Sequence, residues 1–303
     1  MNDIEKNPSL KNVTIGVGIL SWKSHKTLEK SLQSYEKVGL KSFFNEVKII
    51  FQEISEEDKL LAQKYGYDYV GTEKNLGIQN GHKLIHDNLS TDYVLVLEND
   101  NPIIVDRKTL EERLSQSIKH LENGNIDVMR LRHRWNFGEG FSLEKYTEYY
   151  EVQKLHEKYS AEAIKSNIVS PIIKAIKRFL RPEKAIRIAG YSLYFEKEPE
   201  KVFPLYIKEI DKEFYSVDSS ILTWTNQSAF LKRKFYGELL DYAYSNPSSR
   251  TANKFPDLEK PLNSKWWRDQ NYKIGVSEGL FTHNRFDDSW RKSHHAYNKS
   301  IIK

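Results

Sequence analysis

Two carboxylates and two amides close an apolar run in "DYVLVLENDNPIIVDR", residues 92–107: Glu98, Asn99, Asp100 and Asn101, followed by Pro102. Side chains alternate across a strand, so Glu98 and Asp100, two positions apart, fall on the same side of its end. That spacing lets two carboxylates share a hard cation, with the amide oxygens of Asn99 and Asn101 beside them. A plainer reading is a strand-terminating polar turn with Asn101-Pro102 as the breaker. A second group with chemical potential is "VMRLRHRWNFG" (128–138), whose alternation places Arg130, Arg132 and Arg134 on one face of a strand. Guanidinium forks match phosphate oxygens, so the stripe suits a diphosphate. The alternative is a solvated edge strand guarded by charge.

These residues need elements to hold them. "VTIGVGIL" (13–20) has the pattern of a buried strand, and "SHKTLEKSLQSYEKV" (24–38) that of a helix with Ser24 near its N-cap. "EVKIIFQEI" (46–54) is a second strand, and "SEEDKLLAQKYG" (55–66) a helix with a capping Ser, early acids and a closing Gly. A short strand at 67–72 and a Gly-punctuated turn into a helix (75–89) lead to the fourth strand, 92–98. Residues 107–124 form an amphipathic helix. This alternation implies an α/β fold with a mostly parallel central sheet covered by helices on both faces. In such sheets ligands bind outside the carboxyl ends of the strands, where residues 98–101 stand.

Beyond residue 135 the regularity breaks. Residues 136–210 are rich in Tyr, Lys and Glu and read as helices and loops. "YSVDSSILTW" (215–224) returns to strand, "TNQSAFLKRKFYGELLDYAY" (225–244) reads as a capped helix, and 245–264 as a Pro- and Ser-rich loop. "SPIIKAIKRFLRP" (170–182) has a capping Ser170, Pro171 at the first helical position and Pro182 as the stop. Ile172, Ile173, Ile176, Phe179 and Leu180 make an apolar stripe, and Lys174, Lys177, Arg178 and Arg181 carry the rest. Such a helix either lies on an anionic membrane surface or packs on the core.

Composition narrows the classes. Of 303 residues, 39% are hydrophobic and 13% aromatic, enough for a core and against general disorder. A formal charge of +5, from 47 basic and 42 acidic residues, gives no global electrostatic case for nucleic acid. The absence of cysteine excludes disulfides, thiolate metal sites and a cysteine nucleophile, and fits a reducing, cytoplasmic setting. "MNDIEKNPSLKN" has no apolar h-region, so no signal peptide is expected, and no run approaches the ~18 apolar residues of a membrane span.

Taken in order, the motifs resemble those of nucleotide-sugar glycosyltransferases of the GT-A fold, family-2-like members in particular. "LVLENDN" looks like a Glu-x-Asp version of their D-x-D motif. "GILSWKSHKTLEKSLQS" is similar to their first strand and turn, with Ser21-Trp22-Lys23 at the turn. "KNLGIQNGHKLI" resembles their N-x-G turn through Asn75, Gly77 and Asn80. In the second half, "PDLEKPLNSKWWRDQNYKIGVSEGLFTHNR" (256–285) is similar to an acidic position, helix, strand and late His. "TWTNQSAFLKRKFY" (223–236) resembles their acceptor-side element, without its first Gly and its doubled acid.

The resemblance implies one GT-A-like domain: a nucleotide-sugar-binding half (1–135), a helical and loop elaboration (136–210) and an acceptor-binding half (211–303). It implies a Mn2+ or Mg2+ ion held by Asp100 and His283, with Glu98 as a further ligand or as a partner of the ribose or a metal-bound water. It assigns the base that deprotonates the acceptor hydroxyl to Glu259, or failing that to Asp257. Ser21, Trp22, Glu53, Asn75, Gly77 and Asn80 would line the nucleotide pocket. The implied reaction moves a sugar from a nucleotide-diphosphate sugar to a glycan or glycoconjugate hydroxyl, with inversion. Two other classes stand against it. A nucleotidyltransferase of similar fold needs a Gly-rich, Arg-containing loop after the first strand, which "GVGILSWKSHK" lacks. That absence also disfavours a dinucleotide-binding oxidoreductase. A non-catalytic carbohydrate-binding module would use the six Trp and 18 Tyr for stacking, but has no need of carboxylates at both 98–100 and 257–259.

Overall fold

A computed structural model describes residues 13–138, 143–157, 159, 170–249, 251–252 and 254–285. The N-terminal dodecapeptide, parts of the 136–210 elaboration and residues 286–303 lie outside the described residues. In the first half the strands are β1 (Ile15–Ser21), β2 (Glu46–Phe51), β3 (Asp68–Gly71), β4 (Tyr93–Glu98) and β5 (Val128–Arg132). Helices α1 (His25–Val38), α2 (Glu56–Tyr65), α3 (Gly77–Asn88) and α4 (Arg107–Glu122) separate them. There follow α5 (Leu143–Thr147), α6 (Pro171–Leu180), α7 (Pro182–Ala189) and α8 (Pro199–Val202), then β6 (Ile207–Asp211), β7 (Phe214–Asp218) and β8 (Ala229–Lys232). Helix α9 (Arg233–Ser245), strands β9 (Thr251–Ala252) and β10 (Phe255–Pro256), helices α10 (Glu259–Leu262) and α11 (Lys265–Asp269) and strand β11 (Lys273–Phe281) complete the order.

Nine strands make one sheet in the order β3-β2-β1-β4-β8-β5-β11-β7-β6. The β1–β2, β1–β4, β2–β3 and β5–β11 pairs are parallel, while β8 and β7 run against their neighbours. Alternation along each strand sorts the core into two layers. Val17, Ile19, Leu95, Leu97, Met129 and Leu131 pack under α1, α2 and α4. Leu20, Val94, Val96, Val128, Ala229 and Leu231 pack under α3, α7 and α9. Helices therefore cover both faces, as expected. Gly18 serves this packing: a Cβ there would lie 2.3 Å from the Ile85 side chain of α3.

Local signals formed as their chemistry dictates. Ser55 caps α2 by accepting from Asp58 N at 3.2 Å, while Asp58 Oδ2 accepts from Ser55 N at 2.8 Å, a reciprocal capping box. Ser24 begins α1 without a side-chain cap.

Two sequence expectations are corrected. Residues 225–244 are not one helix: Ala229–Lys232 is a strand, inserted antiparallel between β4 and β5. Its Ala229, Phe230 and Leu231 are fully buried, and a strand shows apolar side chains to both layers where a one-sided helix cannot. Nor is the arginine stripe a solvated edge. β5 lies inside the sheet between β8 and β11, and Arg130, Arg132 and Arg134 are all buried. Neutral oxygens accept from each guanidinium: Tyr194 Oη (3.0 Å) and the Thr223 carbonyl from Arg130, the Phe137 carbonyl (2.8 Å) from Arg132, and the Leu193 carbonyl (2.6 Å) from Arg134.

Within the elaboration, the buried Glu196 carboxylate gathers the chain. It accepts from Tyr146 Oη (3.1 Å), Gln153 N (2.9 Å) and Lys154 N (2.8 Å). A buried carboxylate is tolerated where several donors converge on it.

Candidate functional site

The end of β4 is held from two sides. The Asn99 amide donates to the Leu20 carbonyl of β1 at 2.9 Å. From α1, Ser31 Oγ donates to the Asn99 carbonyl and Tyr35 Oη to the Asn101 carbonyl, both at 2.7 Å. Asn101 Oδ1 accepts from the Glu98 amide at 2.9 Å, so this side chain builds the turn instead of facing a cation. The result is a rigid platform that aims the Asp100 carboxylate inward, where it is 3% exposed.

His283 reaches Asp100 because the chain after β11 runs back along the chain after β4. Ile104 N donates to the Leu280 carbonyl (3.0 Å), Thr282 N to the Pro102 carbonyl (3.0 Å) and Asn284 N to the Asp100 carbonyl (2.9 Å). Gly138, at φ +73°, lets a third segment pass. A Cβ there would lie 1.9 Å from the His283 carbonyl oxygen. With the backbones so placed, His283 Nε2 stands 2.9 Å from Asp100 Oδ2, and Arg285 Nε donates to the same oxygen at 2.7 Å. Burial alone would raise the Asp100 carboxyl, but the contacts with His283 and Arg285 outweigh it and hold it below the usual carboxylate range.

Glu98 sits beside this group and is shifted in the opposite direction. Burial, then the neighbouring Asp100 charge, push its carboxyl up to about 7. Gln227 Nε2 donates to Glu98 Oε2 at 3.3 Å, while Gln227 Oε1 is buried without a partner. Glu259, at the start of α10, faces the same space. Burial raises its carboxyl above the usual range, with Asn226 N donating to its Oε1 at 3.2 Å and Asp257 adding like charge. Asp257 Oδ1 accepts from the Glu259 amide at 2.9 Å, so it orients the Glu259 turn. Buried Arg132 has its guanidinium lowered to about 10 by desolvation, which leaves it cationic at neutral pH, within electrostatic reach of Asp100 and Glu259.

A second cluster lies at the carboxyl ends of β1 and β2. Trp22 Nε1 donates to Glu53 Oε2 at 3.1 Å, and Lys23 Nζ to Oε1 at 2.5 Å. These bonds, first Lys23 and then Trp22, lower the exposed Glu53 carboxyl. Lys23 and Glu53 both adopt positive φ, 47° and 55°, a conformation uncommon for such residues and concentrated at functional turns. Ser21 Oγ is buried without a hydrogen-bond partner. Gln52 Oε1 accepts from Leu76 N at 2.8 Å, tying the end of β2 to the turn before α3. In that turn Asn75 Oδ1 accepts from Gly77 N (2.8 Å), and Asn80 Nδ2 donates to the Leu76 carbonyl (2.7 Å). Gly77, at φ +82°, lies against Phe255, 2.3 Å from where its Cβ would stand.

The structure thus brings Glu98, Asp100, His283 and Glu259 into one cluster, and Ser21, Trp22 and Glu53 into another. Asn75, Gly77 and Asn80 shape the turn that leads into α3. Sequence reasoning did not single out Arg285 or Gln227. Both lie within recognised stretches, and the signal for Gln227 is the polar "TNQS" that precedes the buried strand β8. A cavity of about 390 Å³, lined by Tyr150, Gln153, Lys174, Arg178 and Phe203 among others, shares no lining residue with either cluster.

The Asp100–His283 geometry fits a divalent ion. Two ligands at ~2.1 Å and at right angles around an octahedral cation stand about 3.0 Å apart, close to the contact seen here. Among the described residues no three His, Asp or Glu side chains form a metal-holding group. The remaining coordination would come from phosphate oxygens and water, as is usual for such ions. The unpartnered Ser21 Oγ and Gln227 Oε1 are the orphaned polar atoms expected beside a polar ligand.

No family model matches the chain, and no curated protein does. Among solved structures it is similar to a crystal structure of S. aureus TarS 1-349, at 13% identity and a TM-score of 0.47, over 89% of this chain and 60% of that one. It is also similar to glucosyl-3-phosphoglycerate synthase from Mycobacterium tuberculosis in complex with Mn2+, UDP-glucose and phosphoglyceric acid (16% identity, TM-score 0.32, 40% of this chain and 44% of that one). A third is the mannosyltransferase PcManGT from Pyrobaculum calidifontis in complex with GDP-mannose and Mn2+ (12% identity, TM-score 0.35, 43% of this chain and 38% of that one). The chain spans less than two thirds of each of these structures. At such identities and scores, the functional reading rests on the residues of the site itself.

Proposed function

We propose that this chain is a metal-dependent, GT-A-like glycosyltransferase that moves a sugar from a nucleotide-diphosphate sugar to a hydroxyl of a glycan or glycoconjugate, with inversion. The observation that carries this reading is the contact between Asp100 and His283, 183 residues apart, just beyond the carboxyl ends of β4 and β11 of the one sheet. A Mn2+ or Mg2+ ion on these two ligands would neutralise charge on the leaving diphosphate. Arg285 and Arg132 add fixed positive charge to the same space. Ser21, Trp22 and Glu53 form the nucleotide side of the pocket, with the Asn75–Asn80 turn as its wall. Glu98 contacts the ribose or a metal-bound water.

The acceptor oxygen attacks the anomeric carbon as the bond from that carbon to the diphosphate oxygen breaks, and the acceptor proton passes to the Glu259 carboxylate. A carboxylate with raised affinity for protons is the better base. Asp257 holds its turn and is the second choice as base. In this reading residues 1–135 bind the donor, 211–303 the acceptor, and 136–210 elaborate the acceptor side. In this reading the donor sugar is a hexose or a pentose, and the enzyme works in the cytoplasm.

A thermal-shift screen of nucleoside diphosphates and their sugars, with and without manganese, tests this. Stabilisation by one nucleotide, dependent on the metal, is expected. Stabilisation by nucleoside triphosphates alone would favour a nucleotidyltransferase, and by free glycans alone a binding module.

A further inference from the structure

Helix α6 turns its apolar face outward. Ile172, Ile173, Ile176, Phe179 and Leu180 are 72%, 48%, 51%, 84% and 69% exposed, whereas Lys174 is 8% exposed. At 100° per residue the five apolar side chains fall within one arc, and Lys174, Lys177, Arg178 and Arg181 fall on the opposite side. That basic side is what docks on the protein. Lys174 Nζ donates to the Tyr150 carbonyl (3.2 Å), Arg178 Nη1 to the Tyr149 carbonyl (2.5 Å), and Lys177 pairs with Glu148 (3.4 Å). Soluble proteins seldom expose contiguous apolar patches without a use for them.

We propose that α6 docks the protein onto an anionic lipid bilayer, its apolar side chains entering the headgroup–acyl boundary. Charge identifies the occupant. Arg181, Lys184 and Arg187 are exposed with a single acid, Glu183, among them, whereas Lys177 is already paired with Glu148. Lys174 and Arg178 are turned to the protein, on the Tyr150 and Tyr149 carbonyls, so the exposed charge is that of Arg181, Lys184 and Arg187. A second copy of this chain is a poor occupant, because a two-fold interface would set the same cations against one another. An anionic surface neutralises them and takes up the apolar face together. No helix among the described residues is long and apolar enough to cross a membrane, so the contact is interfacial.

Flotation of the full chain with vesicles of phosphatidylcholine, with or without about 30 mol % phosphatidylserine, tests the proposal. Binding to the anionic vesicles is expected, at least about tenfold weaker on phosphatidylcholine alone and weaker again in ~0.5 M salt. Ile176→Asp with Phe179→Asp should lose binding at least about tenfold while retaining the wild-type melting temperature and its stabilisation by nucleotide, since both side chains are solvent-exposed. Arg181→Ser with Lys184→Ser should weaken binding to anionic vesicles only. No binding to anionic vesicles at low salt would overturn the proposal. So would undiminished binding by the Asp variant, or a wild-type dimer that this variant makes monomeric. Retained nucleotide stabilisation in a chain that binds no lipid would separate this failure from failure of the catalytic reading.

Discussion

The two ends of the sheet are assembled differently. Strands β3, β2, β1 and β4 come from one continuous stretch, consecutive strands being joined by one α-helix each (with a 3-10 turn, Leu40–Phe43, after α1), and all run parallel. The other end, β8-β5-β11-β7-β6, interleaves strands from distant parts of the chain, with β8 and β7 reversed. The first end contributes Glu98, Asp100 and the turn around Trp22. The second contributes His283, Arg285, Gln227 and Glu259. A site at their seam can be damaged from either side, but only the second end depends on long-range closure to place its residues.

That comparison can be sharpened by substitution. The largest effect should come from the seam. Asp100→Ala removes the shared partner of His283 and Arg285 and should lower sugar transfer by about 10³-fold and abolish its metal dependence. Initial rates with and without manganese measure it. Glu259→Gln, on the second end, should lose about 10²-fold or more in kcat with donor binding intact. If full activity remains, the base lies elsewhere, first at Asp257.

A third test concerns the joint between the ends. His82 of α3 is buried, its Nδ1 2.7 Å from the Tyr236 hydroxyl of α9, and burial lowers its imidazole from 6.5 to about 3. The unfolded chain takes up this proton below 6.5 while the folded one resists it to about 3, so the stability present above pH 6.5 is lost progressively as pH falls to about 3. At pH 5 the loss should be about 2 kcal/mol. Chemical denaturation at several pH values measures it, and His82→Gln should flatten the curve; an unchanged slope would show that His82 is not the group responsible. The smallest effect belongs to the locally determined end. Ser55→Ala breaks the capping box of α2 and should cost about 1 kcal/mol with transfer unaffected.

Legibility followed the same divide. The α/β alternation, the caps of α2 and α6 and the polar end of β4 were readable because each depends on neighbours within a few residues. The strand at 229–232 was not, because four residues between a polar turn and a long helix carry no period of their own. Only β4 and β5 on either side make them a strand. The arginine stripe was legible as a stripe, but its burial depended on carbonyls from residues 137, 193 and 223, which no local pattern reveals.

By itself the sequence determined which segments become strands and helices in the first half, and that Glu98 and Asp100 share a strand end. It determined that α6 is amphipathic, since spacing of side chains along one helix is a local property. Only the tertiary structure decided which face of α6 meets water, that Arg285 and His283 converge on one Asp100 oxygen, and that Glu98 and Asp100 are driven to opposite protonation tendencies. Those outcomes depend on burial and on partners from 24 residues away, for Lys174 of α6, to 185 residues away, for Asp100 and Arg285, and both arise only when the chain closes on itself.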